Sequence, residues 1–136
     1  MIADIRPSRL WPVLVCIGLL SFAGPVRAQM SLPDSDSGPD GRTLFRNQCA
    51  TCHSDAKGAP DRMGPNLYGV VGRKAGSEPG FHYTGGFAKA DFTWDDAHLD
   101  QWLANPQTVI PGNIMMYRQA KPGVRRAIIR YLAEQK

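Results

Sequence analysis

Beyond residue 40, apolar positions return at helical spacing in three stretches. Gly41, Leu44, Phe45, Gln48 and Cys49 share one face, and Asp40 before them is a good cap, so a first helix is expected from Gly41. In the second stretch Leu99, Trp102 and Leu103 form a stripe to be buried. Thr93 is placed to cap it with Asp96 three residues on, and Asn105-Pro106 stops it. The third stretch opens with Pro122, suited to a first helical position, and repeats through Val124, Ala127, Ile128, Tyr131 and Leu132. Between the first and second stretches lie about fifty Gly- and Pro-rich residues with no alternation long enough for a sheet. The pattern predicts an all-α fold of three main helices plus short ones and long loops. Three short helices cannot easily enclose that much loop around protein alone, so a large apolar object is expected at the centre.

The beginning of the chain follows a different logic. Arg6 and Arg9 precede an apolar run from Trp11 to Gly24, which ends in Pro25-Val26-Arg27-Ala28. That layout predicts a secretory signal peptide over 1–28, cleaved after Ala28, and therefore export to the periplasm. An uncleaved membrane anchor is the alternative, but the run falls short of the ~20 residues a spanning helix needs and contains Pro12, Gly18 and Gly24. Residues 29–40, rich in Ser, Asp, Pro and Gly, read as a flexible tail, and 41–136 as the folded domain. With 136 residues, 43% apolar and 21% charged, the chain holds one globular domain at most. The signal region carries three arginines against one aspartate, so half of the formal charge of +4 leaves with it. The remainder is too small an excess to argue for nucleic-acid binding.

Cys16 lies inside the signal and lacks the small preceding residue of a lipoprotein cleavage site. The exported chain then keeps Cys49 and Cys52, followed directly by His53. Cys49-Ala50-Thr51-Cys52-His53 has the spacing that attaches haem covalently: two thiols add to vinyl groups, and the adjacent imidazole is placed to ligate iron. A zinc site needs four ligands, and beyond this cluster only His82 and His98 remain. A thioredoxin-like pair wants a βαβ context that is missing, and a plain disulfide leaves His53 and the absent core unexplained. One covalent haem c per chain is the expected cofactor. A sixth ligand, or an open position, must complete the iron. Candidates are Met63, Met115, Met116, His82 and His98. The Pro111-Gly112 turn brings Met115 and Met116 off the surface beside polar Asn113.

The residues from about Gly41 to Leu132 resemble a class I c-type cytochrome of the bacterial periplasmic kind, closely similar to mitochondrial cytochrome c. The resemblance rests on Cys49 to His53, Gly64-Pro65-Asn66-Leu67, Gly72-Arg73-Lys74, Tyr83-Thr84, Trp94, Asn105-Pro106 and Ile110 to Met115. It implies His53 as proximal ligand, with the carbonyl of Pro65 accepting its Nδ1 proton, and Met115 as distal ligand, with Met116 pointing elsewhere. It also implies that Tyr83 and Trp94 donate to a buried propionate whose charge Arg73 offsets, and it counts Asn113 with the cofactor-binding residues. Gly41 and Phe45 would pack against the last helix near Ile128, Ile129 and Tyr131.

The departures from the family pattern are specific. Trp102 replaces a Tyr that commonly reaches the distal sulfur, and Phe87 replaces an Asn that supports an internal water, so a drier site is expected. Lysines around the haem edge give way to Gln48, Gln107, Thr108 and Ile114, so the docking face is more neutral. Charge gathers instead in a late basic group (Arg118, Lys121, Arg125, Arg126, Arg130, Lys136) and in Asp91, Asp95, Asp96 and Asp100, while His82 and His98 read as surface residues. The implied function is a non-enzymatic one-electron carrier. It would dock transiently between a donor, such as a quinol-oxidising complex or periplasmic dehydrogenase, and an acceptor, such as an oxidase or photosynthetic centre. It would form no stable oligomer. The alternative is a haem enzyme or gas-binding protein with an open distal site, for which the sequence offers no distal acid-base pair.

Overall fold

The computed structural model describes residues 40–136. The expected signal peptide and all of the expected tail except Asp40 lie outside the described residues. Among the described residues four α-helices appear: α1 (Gly41–Gln48), α2 (Asp96–Ala104), α3 (Pro106–Val109) and α4 (Pro122–Glu134), with a 3-10 turn at Gly85–Lys89. Among the described residues the only β pairing is an isolated antiparallel bridge between Lys74 and Thr93. None of the described helices is long and apolar enough to cross a membrane.

Asp40 caps α1 as the sequence indicates, its carboxylate accepting from the amides of Arg42 and Thr43. The cap of α2 differs from expectation. Asp95, not Thr93, holds the extended N-cap conformation and accepts from the His98 amide at 2.7 Å. Thr93 is instead fixed in the bridge to Lys74, two residues too early to turn into the helix. Pro106 ends α2 and then serves as first residue of the one-turn α3, where a missing N–H costs nothing.

The core is the meeting of α1, α2 and α4. Phe45, Leu99, Trp102, Leu103, Ile128, Ile129, Tyr131 and Leu132 are all buried in one cluster; the expected stripe of α2 is buried whole and that of α4 except for half-buried Val124, whereas of the α1 stripe only Phe45 is buried and Gln48 is exposed. The Phe45 and Tyr131 rings lie 5.4 Å apart across the α1–α4 crossing. Gly41 makes that crossing possible: a β-carbon there would run into the carbonyl of Ala127 and the Cβ of Tyr131. On the other side of α4, Arg125 grips Asp100 of α2 with Nε–Oδ1 at 2.8 Å and Nη2–Oδ2 at 3.0 Å. The late basic group and the acidic stretch therefore meet in part.

The long loop is held by its own polar groups. Buried Asn66 donates to the carbonyls of Ala56 and Ala59 and accepts from the amide of Tyr68. The amide of Gly72 bonds Trp94 and that of Trp94 bonds Arg73. This satisfies buried backbone without a sheet and leaves space between the loop and the helices.

Candidate functional site

That space is a cavity of about 310 Å³, inside the ~300–1,000 Å³ range typical of cofactor sites, with a predominantly apolar lining. The segment after α1 brings the cysteine pair to it. Cys49 is the C-cap residue of α1, and the amides of Cys52 and His53 both return to the Cys49 carbonyl at 3.0 Å. This tight turn presents Cys49, Cys52 and His53 to one wall of the cavity.

The chemistry of the cysteines narrows the reading. Both thiols are free. Burial, with a smaller contribution from the neighbouring Cys52, pushes the Cys49 thiol up to about 11. A nucleophilic redox pair needs the opposite shift, toward a stabilised thiolate. Among the described residues no group of three or more His, Cys, Asp or Glu side chains gathers as a metal cage. The two cysteines stand half-buried in an apolar wall.

His53 Nδ1 lies 2.8 Å from the carbonyl oxygen of Pro65. Burial lowers the affinity of the ring for a second proton, and the bond to Pro65 only partly opposes this. The ring is accordingly neutral at pH 7. With Nδ1–H donated to the carbonyl, the lone pair sits on Nε2, the arrangement a histidine ligand requires. Gly64 is the cradle: a β-carbon there would overlap Cε1, Nδ1 and Nε2 of the ring. The loop is anchored beside it by the bond from the Gly64 amide to the Cys52 carbonyl at 2.8 Å.

Across the loops, Met115 is half-buried at the cavity while Met116 is exposed, so the turn withdraws only the first of the two methionines from solvent. Gly112 takes φ +81° in that turn. Buried Asn113 donates to the Ile110 carbonyl at 2.6 Å and accepts from the Met115 amide at 2.9 Å. Its side chain thus holds the loop that carries Met115. Met63 is exposed, with its sulfur 4.0 Å from that of Cys52.

Tyr83, Trp94 and Arg73 all line the cavity. The Tyr83 hydroxyl accepts from the amide of Glu78 at 3.3 Å, and burial raises the pKa of its phenol. Arg73 already has partners: the carboxylate of Glu78, the Asn66 carbonyl at 2.7 Å and the Tyr68 carbonyl at 3.2 Å. Glu78 is the residue that sequence reasoning missed. It sits in a Gly- and Pro-rich loop, and only its spacing of five from Arg73 could have hinted at the pair.

Trp102 and Phe87 meet at 5.9 Å, and Trp94 meets Trp102 at 5.2 Å, which gives the cavity an aromatic floor where polar side chains were noted as missing. His82 stands exposed at the edge of the cavity. His98 departs from a plain surface position: its ring stacks on Phe92 at 4.4 Å and bonds Asp95 at 2.8 Å.

The residues fit a haem. The wall is apolar, the two thiols and a correctly tautomerised imidazole stand together, and the buried hydroxyl oxygen of Thr84, at the cavity, has no hydrogen-bond partner. The Cytochrome c family model matches residues 39–136. Three cytochromes are similar to the chain. Cytochrome c2 of Rhodopila globiformis is 42% identical over 68% of this chain and 88% of its own length. Cytochrome c2 iso-2 of Magnetospirillum molischianum is 44% identical over 69% and 93%. Cytochrome c of Theileria parva is 39% identical over 76% and 89%. A helical fold around an apolar cavity, a Cys-X-X-Cys-His turn at its wall and this breadth of similarity together make the chain a member of the cytochrome c family.

Proposed function

We infer that the chain is an electron carrier acting through covalently attached haem c, exported to the periplasm with residues 1–28 removed, a tail over 29–40 and the haem domain over 41–136. The observation that carries this reading is the bond from His53 Nδ1 to the Pro65 carbonyl at the wall that also holds Cys49 and Cys52. Bound haem supplies a one-electron ferric/ferrous couple.

The chain's residues do the rest. Cys49 and Cys52 would hold the group by thioether bonds, and His53, oriented by Pro65 and Gly64, would offer Nε2 to its iron. Met115, on the loop held by Asn113, would offer its sulfur; a soft thioether favours the reduced state and so would raise the potential. Tyr83 and Trp94, which line the cavity, would donate to a propionate. Arg73 faces the same region, its charge shared with Glu78.

The carrier performs no bond chemistry on a substrate. Partners dock in a small transient interface: a quinol-oxidising complex or periplasmic dehydrogenase as donor, an oxidase or photosynthetic centre as acceptor. The test is a redox titration of the exported protein with carbon monoxide added to the reduced form. One electron per chain and no carbon monoxide adduct are expected. Ready adduct formation contradicts the carrier and favours the open-site enzyme or sensor.

A further inference from the structure

The large hydrophobic side chains left exposed among the described residues are Met63, Ile114 and Met116, at 74%, 71% and 84%. Singly, each is unremarkable on a protein surface. All three, however, border the same cavity. They come from the loop after the cysteines and from the segment after the Pro111-Gly112 turn, brought together only by the fold.

Charge is missing from the same rim. Among the described residues Arg73 is the one Lys, Arg, Asp or Glu that lines the cavity, and it is largely buried and paired with Glu78. Arg62 and Arg118, the cations nearest Met63 and Met116 in sequence, are not among the lining residues, and Arg62 turns to the Ala50 carbonyl at 2.6 Å.

Three uncharged polar side chains of this region already have partners, whereas the Thr84 hydroxyl oxygen at the cavity has none. Gln48 accepts from the Tyr117 hydroxyl at 2.7 Å, Gln107 donates to the Asn113 carbonyl at 2.8 Å, and Thr108 donates to the Asn105 carbonyl at 2.7 Å. Covering such groups leaves few bonds to water to be broken without replacement. The border of the cavity is therefore cheap to desolvate, and among the described residues no unpaired Lys, Arg, Asp or Glu lines it.

We propose that Met63, Ile114 and Met116 form an apolar docking ring for a redox protein whose own contact patch is uncharged, and that association is driven by burial of apolar surface. The proposal rests on the carrier reading above and adds the chemistry of the partner. Charge complementarity selects that occupant, since among the described residues Arg73, the one Lys or Arg that lines the cavity, is already paired with Glu78. The two methionines suit a carrier that must meet a donor and an acceptor in turn, because unbranched thioether side chains repack against different surfaces.

The test uses the holoprotein on gold electrodes coated with a methyl-terminated or a carboxylate-terminated monolayer, between about 10 and 300 mM salt, a range over which screening of exposed charges changes severalfold. The wild type is expected to exchange electrons faster on the methyl surface, with less than about a twofold change across the salt range, against the ~10-fold or greater changes of charge-steered association. Ile114→Lys and Met116→Lys, made separately, should each slow exchange on the methyl surface about tenfold and shift preference to carboxylate at low salt.

Preference of the wild type for carboxylate with steep loss in salt, alongside normal titration by a dissolved mediator, overturns the docking proposal and leaves the carrier intact. Absence of a reversible couple with any surface or mediator overturns the carrier itself, and the docking ring with it. A dimer in sedimentation that dissociates in Met116→Lys would assign the ring to a second copy, and binding to neutral phosphatidylcholine vesicles would assign it to lipid. Either result overturns the proposal.

Discussion

The ring of His53 lies so close to Gly64 that a single methyl group on that glycine would overlap three atoms of the imidazole. The backbone on the other side of the glycine cannot retreat freely, because its amide is bonded to the Cys52 carbonyl. The absence of a side chain is therefore part of how the imidazole is aimed, along with the bond to Pro65.

Gly64→Ala should tilt the ring, lengthen its bond to Pro65 and weaken its hold on iron. Overpacking of this kind costs about 1–3 kcal/mol, so denaturant unfolding of the holoprotein should show a loss in that range together with a changed haem spectrum. Unaltered stability and spectrum would mean that the ring is not confined by this contact.

Gly41→Ala sets two effects against each other. Gly41 is the first residue of α1, so replacing it gains at most the ~0.5–1 kcal/mol of backbone entropy that a mid-helix glycine would give. The clash with the Ala127 carbonyl and Tyr131 costs about 1–3 kcal/mol, because α4 must move to relieve it. The sum is a net loss, measurable as a lower midpoint of unfolding. A stabilised variant would show that α1 and α4 have room to separate.

Tyr131 donates to Asp55 at 2.5 Å, and burial followed by this carboxylate pushes its phenol up to about 12. The unfolded chain releases that proton near 10, so between about 10 and 12 the folded state binds more protons than the unfolded one. The contribution of Tyr131 is fully present below about pH 10 and is lost as pH rises toward 12, amounting to no more than about 2–3 kcal/mol. Comparison of wild type and Tyr131→Phe by ultraviolet difference titration should reveal one late phenol, with a shallower alkaline fall of stability in the variant. A Tyr131 that ionises with the ordinary tyrosines contradicts the contact.

The three main helices were legible because each carries a stripe that a 3.6-residue period can bury, and Asp40 and Pro122 mark their starts without competition. Near α2 two side chains fit the capping pattern. Only the pairing of Thr93 with Lys74, distant in sequence, decides for Asp95. The His53 and Pro65 pairing was legible through the family motif, since no local rule joins residues twelve apart. Glu78 and the stacking of His98 on Phe92 were not legible, because each depends on how an irregular loop closes. The exposure of Met116 beside a half-buried Met115 belongs to the same class: one residue of register in a turn decides which of the two is withdrawn from solvent.

The pairing of an imidazole and a thioether about one iron is tested most directly by the absorption spectrum of the oxidised exported protein, wild type beside Met115→Ala. The account predicts a sulfur-to-iron charge-transfer band in the wild type that vanishes in the variant, with the pigment remaining bound to the polypeptide through acidified organic solvent. A band that survives the substitution, or a pigment that extracts as a free molecule, would contradict it.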